Sequence, residues 1–520
     1  MISVSRAVAV VCSAALTAAV SGCAGGSPQQ PVKAAPSPLP VAAKASASAS
    51  AAPRHRPFPA VPSIAECRKV LGSACYTADQ VRTAYGIDKL NSEGLTGKGR
   101  TVVVYEEVVP DTLKKDLETF SKAMKLPAPD VTVETYAPGG SVAKFDARNE
   151  TMARSATEAT LDVQMVHMAA PDAKIVVTQI GLPGAAFRSG ASQQPKPETA
   201  EQAAQGAKAG AALIMDGIAQ SVDKHSPDAL SISFGLQEYT AADSTMFPAE
   251  ALEKLSAPLA EVVAGGTTLV ASAGDSGAAP PVGREHQRVR SVSWPASDPS
   301  VLSLGASRLH LDDQGKRTAP DTVWSDRHGA TGGGPSQTFA RPGYQNGVEK
   351  VTGKQRGTSD ISMDGSASGG TLIYQGFLPE GAGWMPVGGT SESAPMFAAL
   401  VALANQQAEA RIGSVHEALY GLVGKPEGGV VDITEGVNGP DGFRAGPGYD
   451  LASGLGTVDA SVFVPALAAA ASGADAGSDS GAAADSEPQA DPQSQPKVKP
   501  EPEPESYSEP ESESYSESDE

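Results

Sequence analysis

The decisive stretch is GAALIMDGIAQSVDK (residues 210–224), with ALSISFG (residues 229–235) behind it. In the first, apolar side chains return every three or four residues, the period of a helix with one buried face. The second is a short run of apolar and small residues. It is too short for a stable helix and suits a strand covered on both sides. The pattern spreads in both directions. RTVVVYEE (100–107) reads as a strand, residues 156–168 as a helix, and KIVVTQI (174–180) as a strand. APLAEVVAGG (257–266) is helix-like, while TLVASAG (268–274) and VLSLGA (301–306) are strand-like. Strands that alternate with helices predict an α/β fold, a mainly parallel sheet flanked by helices on both faces. Functional loops then fall at strand ends.

The chain has 520 residues and a formal net charge of −20. The segment from residue 473 onward holds 14 acidic and two basic residues, so 12 of those net charges sit there. The rest is only mildly acidic. Such a balance argues against nucleic acid as a partner. The Ser-, Glu- and Pro-rich end, YSEPESESYSESDE, cannot bury enough apolar surface to fold and is expected to be disordered.

The first 22 residues combine Arg6 with a short apolar run, which predicts a signal peptide. VSGC (20–23) is similar to a bacterial lipobox, which implies lipid on Cys23 and a membrane-held, exported protein. Ordinary cleavage and free secretion is the alternative. Residues 23–63, rich in Ala, Pro and Ser, read as a tether, residues 64–471 as the folded body, and residues 472–520 as the acidic tail. Cys67 and Cys75 remain for an oxidising exterior, where a local disulfide is expected rather than two free thiols.

Four stretches carry chemistry. GGTSESAP (388–395) offers Ser391 in a Gly-rich turn entering a helix, with Pro395 expected in its first turn. A serine hydroxyl needs a base, and the seven histidines stand in no catalytic context. In SATEATLDVQMVHM, Glu158 and Asp162 are four apart and share one helix face. By spacing alone they are a solvated stripe or a paired site. Asp275 in ASAGDSGA is by itself a turn residue. The Gly-rich run from Val430 to Thr457 contains Asp432 and Asp450, which read as calcium-type oxygen donors or as a plain turn.

Taken in order, these stretches resemble the sedolisins, serine-carboxyl peptidases with a subtilisin-like fold. The resemblance runs through YTADQVRTAYGIDKLNSEGLTGKGRTVVV, EATLD, LSISFG, ASAGDSGA, SWPASDPSVLSLGA, GGGPSQTFARPGYQ, DISM, GGTSESAP and GPGYDLASGLG. It implies that Glu158 is the base for Ser391, that Asp162 holds Glu158, and that Asp275 faces the oxyanion. It also implies one structural calcium, held by Asp432 and Asp450 side chains and by the carbonyls of Ile433, Gly446 and Gly448. The implied function is an endopeptidase acting on proteins or peptides at acidic pH; the body itself is large enough to be a stable monomer.

A catalytically silent peptide- or wall-binding protein on the same scaffold is the alternative. A Ser-His-Asp triad is disfavoured, since the first strand ends YEEVV and no HGT occurs. One departure stands out. Sedolisins usually carry a long folded pro-region, and here only about 50 residues lie between Cys23 and the start of the resemblance. The segment GLPGAAFRSGASQQPKPETAEQ (181–202) matches nothing familiar.

Overall fold

The computed structural model describes residues 56–138, 142, 144–181, 200–238, 249–282 and 287–478. The expected leader, the lipid site at Cys23, most of the tether, nearly all of the unmatched loop and the tail beyond residue 478 lie outside them. The chain divides at Ala476/Gly477 into two units. All that follows concerns the first.

Two short helices open it, α1 (Ile64–Leu71) and α2 (Ala78–Tyr85). Each starts with a reciprocal cap, Ser63 with Glu66 and Thr77 with Gln80, which satisfies otherwise orphaned N–H groups. Between them Cys67 and Cys75 form the expected disulfide. The chain then enters an eight-stranded sheet: β1 (Thr101–Glu106), β2 (Asp130–Tyr136), β3 (Lys174–Ile180), β4 (Ala229–Ile232), β5 (Thr268–Ser272), β6 (Leu302–Arg308), β7 (Thr322–Val323) and β8 (Ile361–Asp364). Its order is β7-β6-β5-β4-β1-β3-β2, with β8 also on β6. Every pairing is parallel except β6 with β7. This is the mainly parallel sheet that the sequence predicts.

Four long helices cover it: α3 (Glu150–Ala169), α4 (Ala200–His225), α5 (Ala249–Ala264) and α6 (Thr390–Ala408). α3 and α6 lie on one face, α4 and α5 on the other. β1 shows why both faces are apolar. Val102 and Val104 enter the core shared with α3 and α6, while Val103 and Tyr105 enter the core shared with α4 and α5. Each valine so buried contributes about 1.5–3 kcal/mol. α4 sits close to β1 because residue 217 is glycine. A Cβ there would lie 2.1 Å from the Tyr105 hydroxyl, which donates to the Ile214 carbonyl at 2.9 Å.

Two details differ from the sequence reading. α3 begins six residues before the expected start, because Asn149 Oδ1 accepts the N–H groups of Thr151 and Met152 at 3.0 and 3.2 Å. The polar first turn hides this from periodicity. α6 begins at Thr390, so Pro395 is its sixth residue and lies in the second turn rather than the first. Having no N–H, Pro395 leaves the Ser391 carbonyl without its usual intrahelical donor. Among the described residues no helix is long and apolar enough to cross a membrane.

Candidate active site

The C-terminal ends of the central strands converge on the start of α6. Glu106 ends β1, Ser233 follows β4, and Asp275 stands three residues past β5. α3 brings Glu158 and Asp162 to the same place. Ser391, the second residue of α6, is 6% exposed. Its hydroxyl donates to the Ser233 carbonyl at 3.3 Å, and Glu158 stands beside it, close enough for the hydroxyl to lower the Glu158 pKa. The helix N-terminus adds positive potential there.

Glu158 is half-buried, and Asp162 and Glu106 are almost fully so. The Ser233 hydroxyl donates to Asp162 Oδ2 at 2.6 Å. Each of the three carboxyls keeps one buried oxygen that no N–H or O–H donor reaches: Glu106 Oε1, Glu158 Oε1 and Asp162 Oδ1. Protons held within the carboxyl cluster are the natural partners for such oxygens, and Glu106 does hydrogen-bond Asp162. Burial is the main force raising all three pKa values. Charge repulsion from Asp162 adds to it for Glu106 and Glu158, and the Ser391 hydrogen bond opposes it at Glu158. For Asp162, pushed up to about 7, the bonds from Ser233 and Glu106 oppose burial.

Asp275 sits across from this group. The Thr390 N–H and hydroxyl both donate to its Oδ1, each at 2.8 Å, and the Gly274 N–H donates to Thr390 Oγ1 at 3.0 Å. With Oδ1 doubly engaged, a proton belongs on Oδ2. Asp275 opens to solvent, yet the protein around it still raises its pKa, against the pull of Thr390. Oδ2 lies against Gly389, which has φ of 123°, and a Cβ there would come within 2.7 Å of it. Only glycine fits that backbone and that space.

Ser391, the helix pair Glu158 and Asp162, and Asp275 thus come together from three separate stretches. Glu106, Ser233 and Thr390 join them without having been singled out. The signal for Glu106 was the acidic pair closing an otherwise apolar strand. The described histidines bond elsewhere: His167 to Pro127, His225 to Glu134, His310 to Thr322, His328 to Arg327 and His416 to Ser414.

The calcium-type loop lies in a separate region. The Gly446 N–H donates to Asp450 Oδ2 at 3.0 Å and the Gly448 N–H to Asp432 Oδ2 at 2.8 Å, so one GPG turn ties both carboxylates together. No described atom lies within 4 Å of a Cβ placed on Gly446 or Gly448, which leaves that face open. The donor set is all oxygen and suits a hard cation. Among the described residues no cluster of three or more His, Cys, Asp or Glu side chains could hold a metal, so such an ion would depend on the carbonyls.

The subtilase family model matches residues 137–421. Kumamolisin from Bacillus sp. (strain MN-32) is 33% identical over 246 residues, 45% of this chain and 41% of that protein. Sedolisin from Pseudomonas sp. (strain 101) is 32% identical over 252 residues, 46% and 40% of the two chains. Tripeptidyl-peptidase sed5 of Aspergillus fumigatus is 33% identical over 225 residues, 37% of each chain. The chain therefore spans about two fifths of the length of these relatives. A solved structure of Pseudomonas sedolisin, a serine-carboxyl proteinase complexed with pseudo-iodotyrostatin, superposes with a TM-score of 0.58 at 24% identity, covering 75% of this chain and 97% of that one. That likeness establishes the subtilisin-like fold. The chain belongs to the subtilase family, in its sedolisin group.

Proposed function

We propose that this chain is a serine-carboxyl endopeptidase that cleaves proteins or peptides in acid. The observation that carries the reading is the Ser391 hydroxyl, set within reach of Glu158 at the head of a proton-sharing carboxyl chain. Glu158 takes the hydroxyl proton as Ser391 Oγ attacks the scissile carbonyl carbon. Asp275 Oδ2–H and the helix N-terminus face the negative oxygen that forms. Glu158 then hands the proton to the leaving amine as the C–N bond breaks, giving an acyl-enzyme. Water, deprotonated by Glu158, releases the acid and restores Ser391. Asp162 and Glu106 fix Glu158 and stabilise its changing charge. Asp275 donates only while protonated, which sets an acidic working range.

The test is a pH–rate profile of the full chain on denatured protein from about pH 3 to pH 8. We expect cleavage confined to the acidic side and absent in Ser391→Ala. A well-folded chain that cleaves nothing would favour the binding scaffold. Products separate the modes, since internal fragments support an endopeptidase and released tripeptides the activity named in several relatives.

Asp432, Asp450 and the carbonyls of Ile433, Gly446 and Gly448 would hold one structural calcium, which supplies charge to brace this loop. Burial raises the Asp450 pKa, and a bound cation would reverse that. Chelation with EDTA should lower Tm by a few degrees, and an unchanged Tm in calcium-free buffer removes the ion from the proposal. We place the protein outside the cell, as a monomer held through lipid on Cys23 or free.

A further inference from the structure

A polar cavity of about 280 Å³ lies where the disulfide-closed turn meets the end of β6. It is lined by Arg68, Ser73, Tyr76, Arg308, His310 and Thr318, among others. Arg68 is on α1 and Arg308 ends β6, 240 positions later. Among the described residues neither guanidinium is in an ion pair. Arg308 Nε is buried and has no hydrogen-bond partner. A buried guanidinium N–H left unpaired is costly, and an anion entering the cavity would satisfy it.

The surrounding acids do not supply one. Asp321 is held bidentately by Arg317 at 2.8 and 3.1 Å. Asp364 accepts the Leu309 N–H at 3.2 Å, and burial pushes its pKa to about 8, so it is uncharged at and below neutrality. Exposed Glu435 acts electrostatically on His310. The Tyr76 hydroxyl is already committed, donating to the Leu309 carbonyl and accepting the Leu311 N–H. Both arginines act electrostatically on that hydroxyl, which places their charges around one point. What remains is two cations with the Ser73 hydroxyl beside them, the Thr318 hydroxyl being donated to the His310 carbonyl at 3.0 Å.

We propose that this cavity binds a tetrahedral oxyanion of the phosphate or sulfate type, which ties the disulfide-closed turn to the sheet. The proposal is independent of catalysis. The experiment is thermal unfolding of the full chain with increasing inorganic phosphate, against chloride at matched ionic strength. A saturable rise in Tm is expected, and Arg308→Gln and Arg68→Gln should each weaken apparent binding by about tenfold or more. Arg148→Gln, on an exposed residue paired with Asp146, should respond like the parent. Methyl phosphate in place of phosphate distinguishes a phosphoryl end group from the free ion, since only the former tolerates the ester. Acetate should give no saturable rise. If Arg308→Gln fails to fold, Arg68→Gln on its exposed helix carries the test. No saturable rise, or an equal rise in the arginine variants, overturns the proposal.

Discussion

Two sets of buried carboxyls flank Ser391, and they differ in access. On one side are Glu158, Asp162 and Glu106. On the other are Glu392, the residue next to the serine, and Asp364 at the end of β8. Both members of the second set are fully buried. The Thr371 hydroxyl donates to Glu392 Oε1, while Glu392 Oε2 and Asp364 Oδ2 have no partner. Burial is the first cause of the raised pKa in both, and the Asp364 charge adds to it at Glu392. A perturbed carboxyl beside Ser391 is therefore not enough to mark a site. Glu158 is only partly buried and stands beside Ser391, whereas Glu392 is fully buried, its Oε1 accepting from Thr371. Perturbation records burial, and function needs a path to substrate as well.

Three variants probe that contrast. Glu158→Gln should lower kcat by about 1,000-fold or more at every pH while the fold persists, as read by steady-state rates and circular dichroism. Near-native turnover would end its role as base. Glu106→Gln should cost about 10- to 100-fold in kcat with KM nearly unchanged, because it acts through Asp162 on the placement of Glu158. An unchanged kcat would make Glu106 a structural residue like Glu392.

Glu392→Gln should leave acidic activity within about threefold and change stability instead, since it lies away from the reacting atoms. The sign follows from its neighbour Asp364, whose ordinary pKa of 3.8 rises to about 8 in the fold. The folded state binds the extra proton between those values. Stability from this pair is full below the ordinary value and is lost as pH climbs toward the folded one. Removing one acid should then raise Tm by about 2 °C near pH 8 and change little near pH 4. Loss of cleavage at pH 4 in a folded Glu392→Gln protein would erase the distinction between the two sets.

Much of this was legible in the residues. Strands such as KIVVTQI announce themselves because both of their faces are covered, whereas the grouping of Ser391, Glu158, Asp162 and Asp275 was implied only by the family resemblance, since spacing alone left the acid pair a solvated stripe and Asp275 a turn residue. Glu106 was not legible as a partner of Asp162, since a polar residue closing a strand usually meets water. Nor was Glu392, because nothing in GGTSESAP tells which way the residue after the serine will face. The early start of α3 escaped for a different reason, its first turn being capped by Asn149 and carrying little apolar signal.

The alternation along β1 carries one last consequence, a matter of parity. Even-numbered residues of this strand face α3 and α6, odd-numbered ones face α4 and α5. Glu106 is even, and so it stands on the side of Asp162. Deleting one residue between positions 101 and 105 would trade the two cores and turn the acid to the wrong face, although almost every residue in the strand would still be apolar. The strand thus keeps count for the site, and its length matters to catalysis as much as its composition.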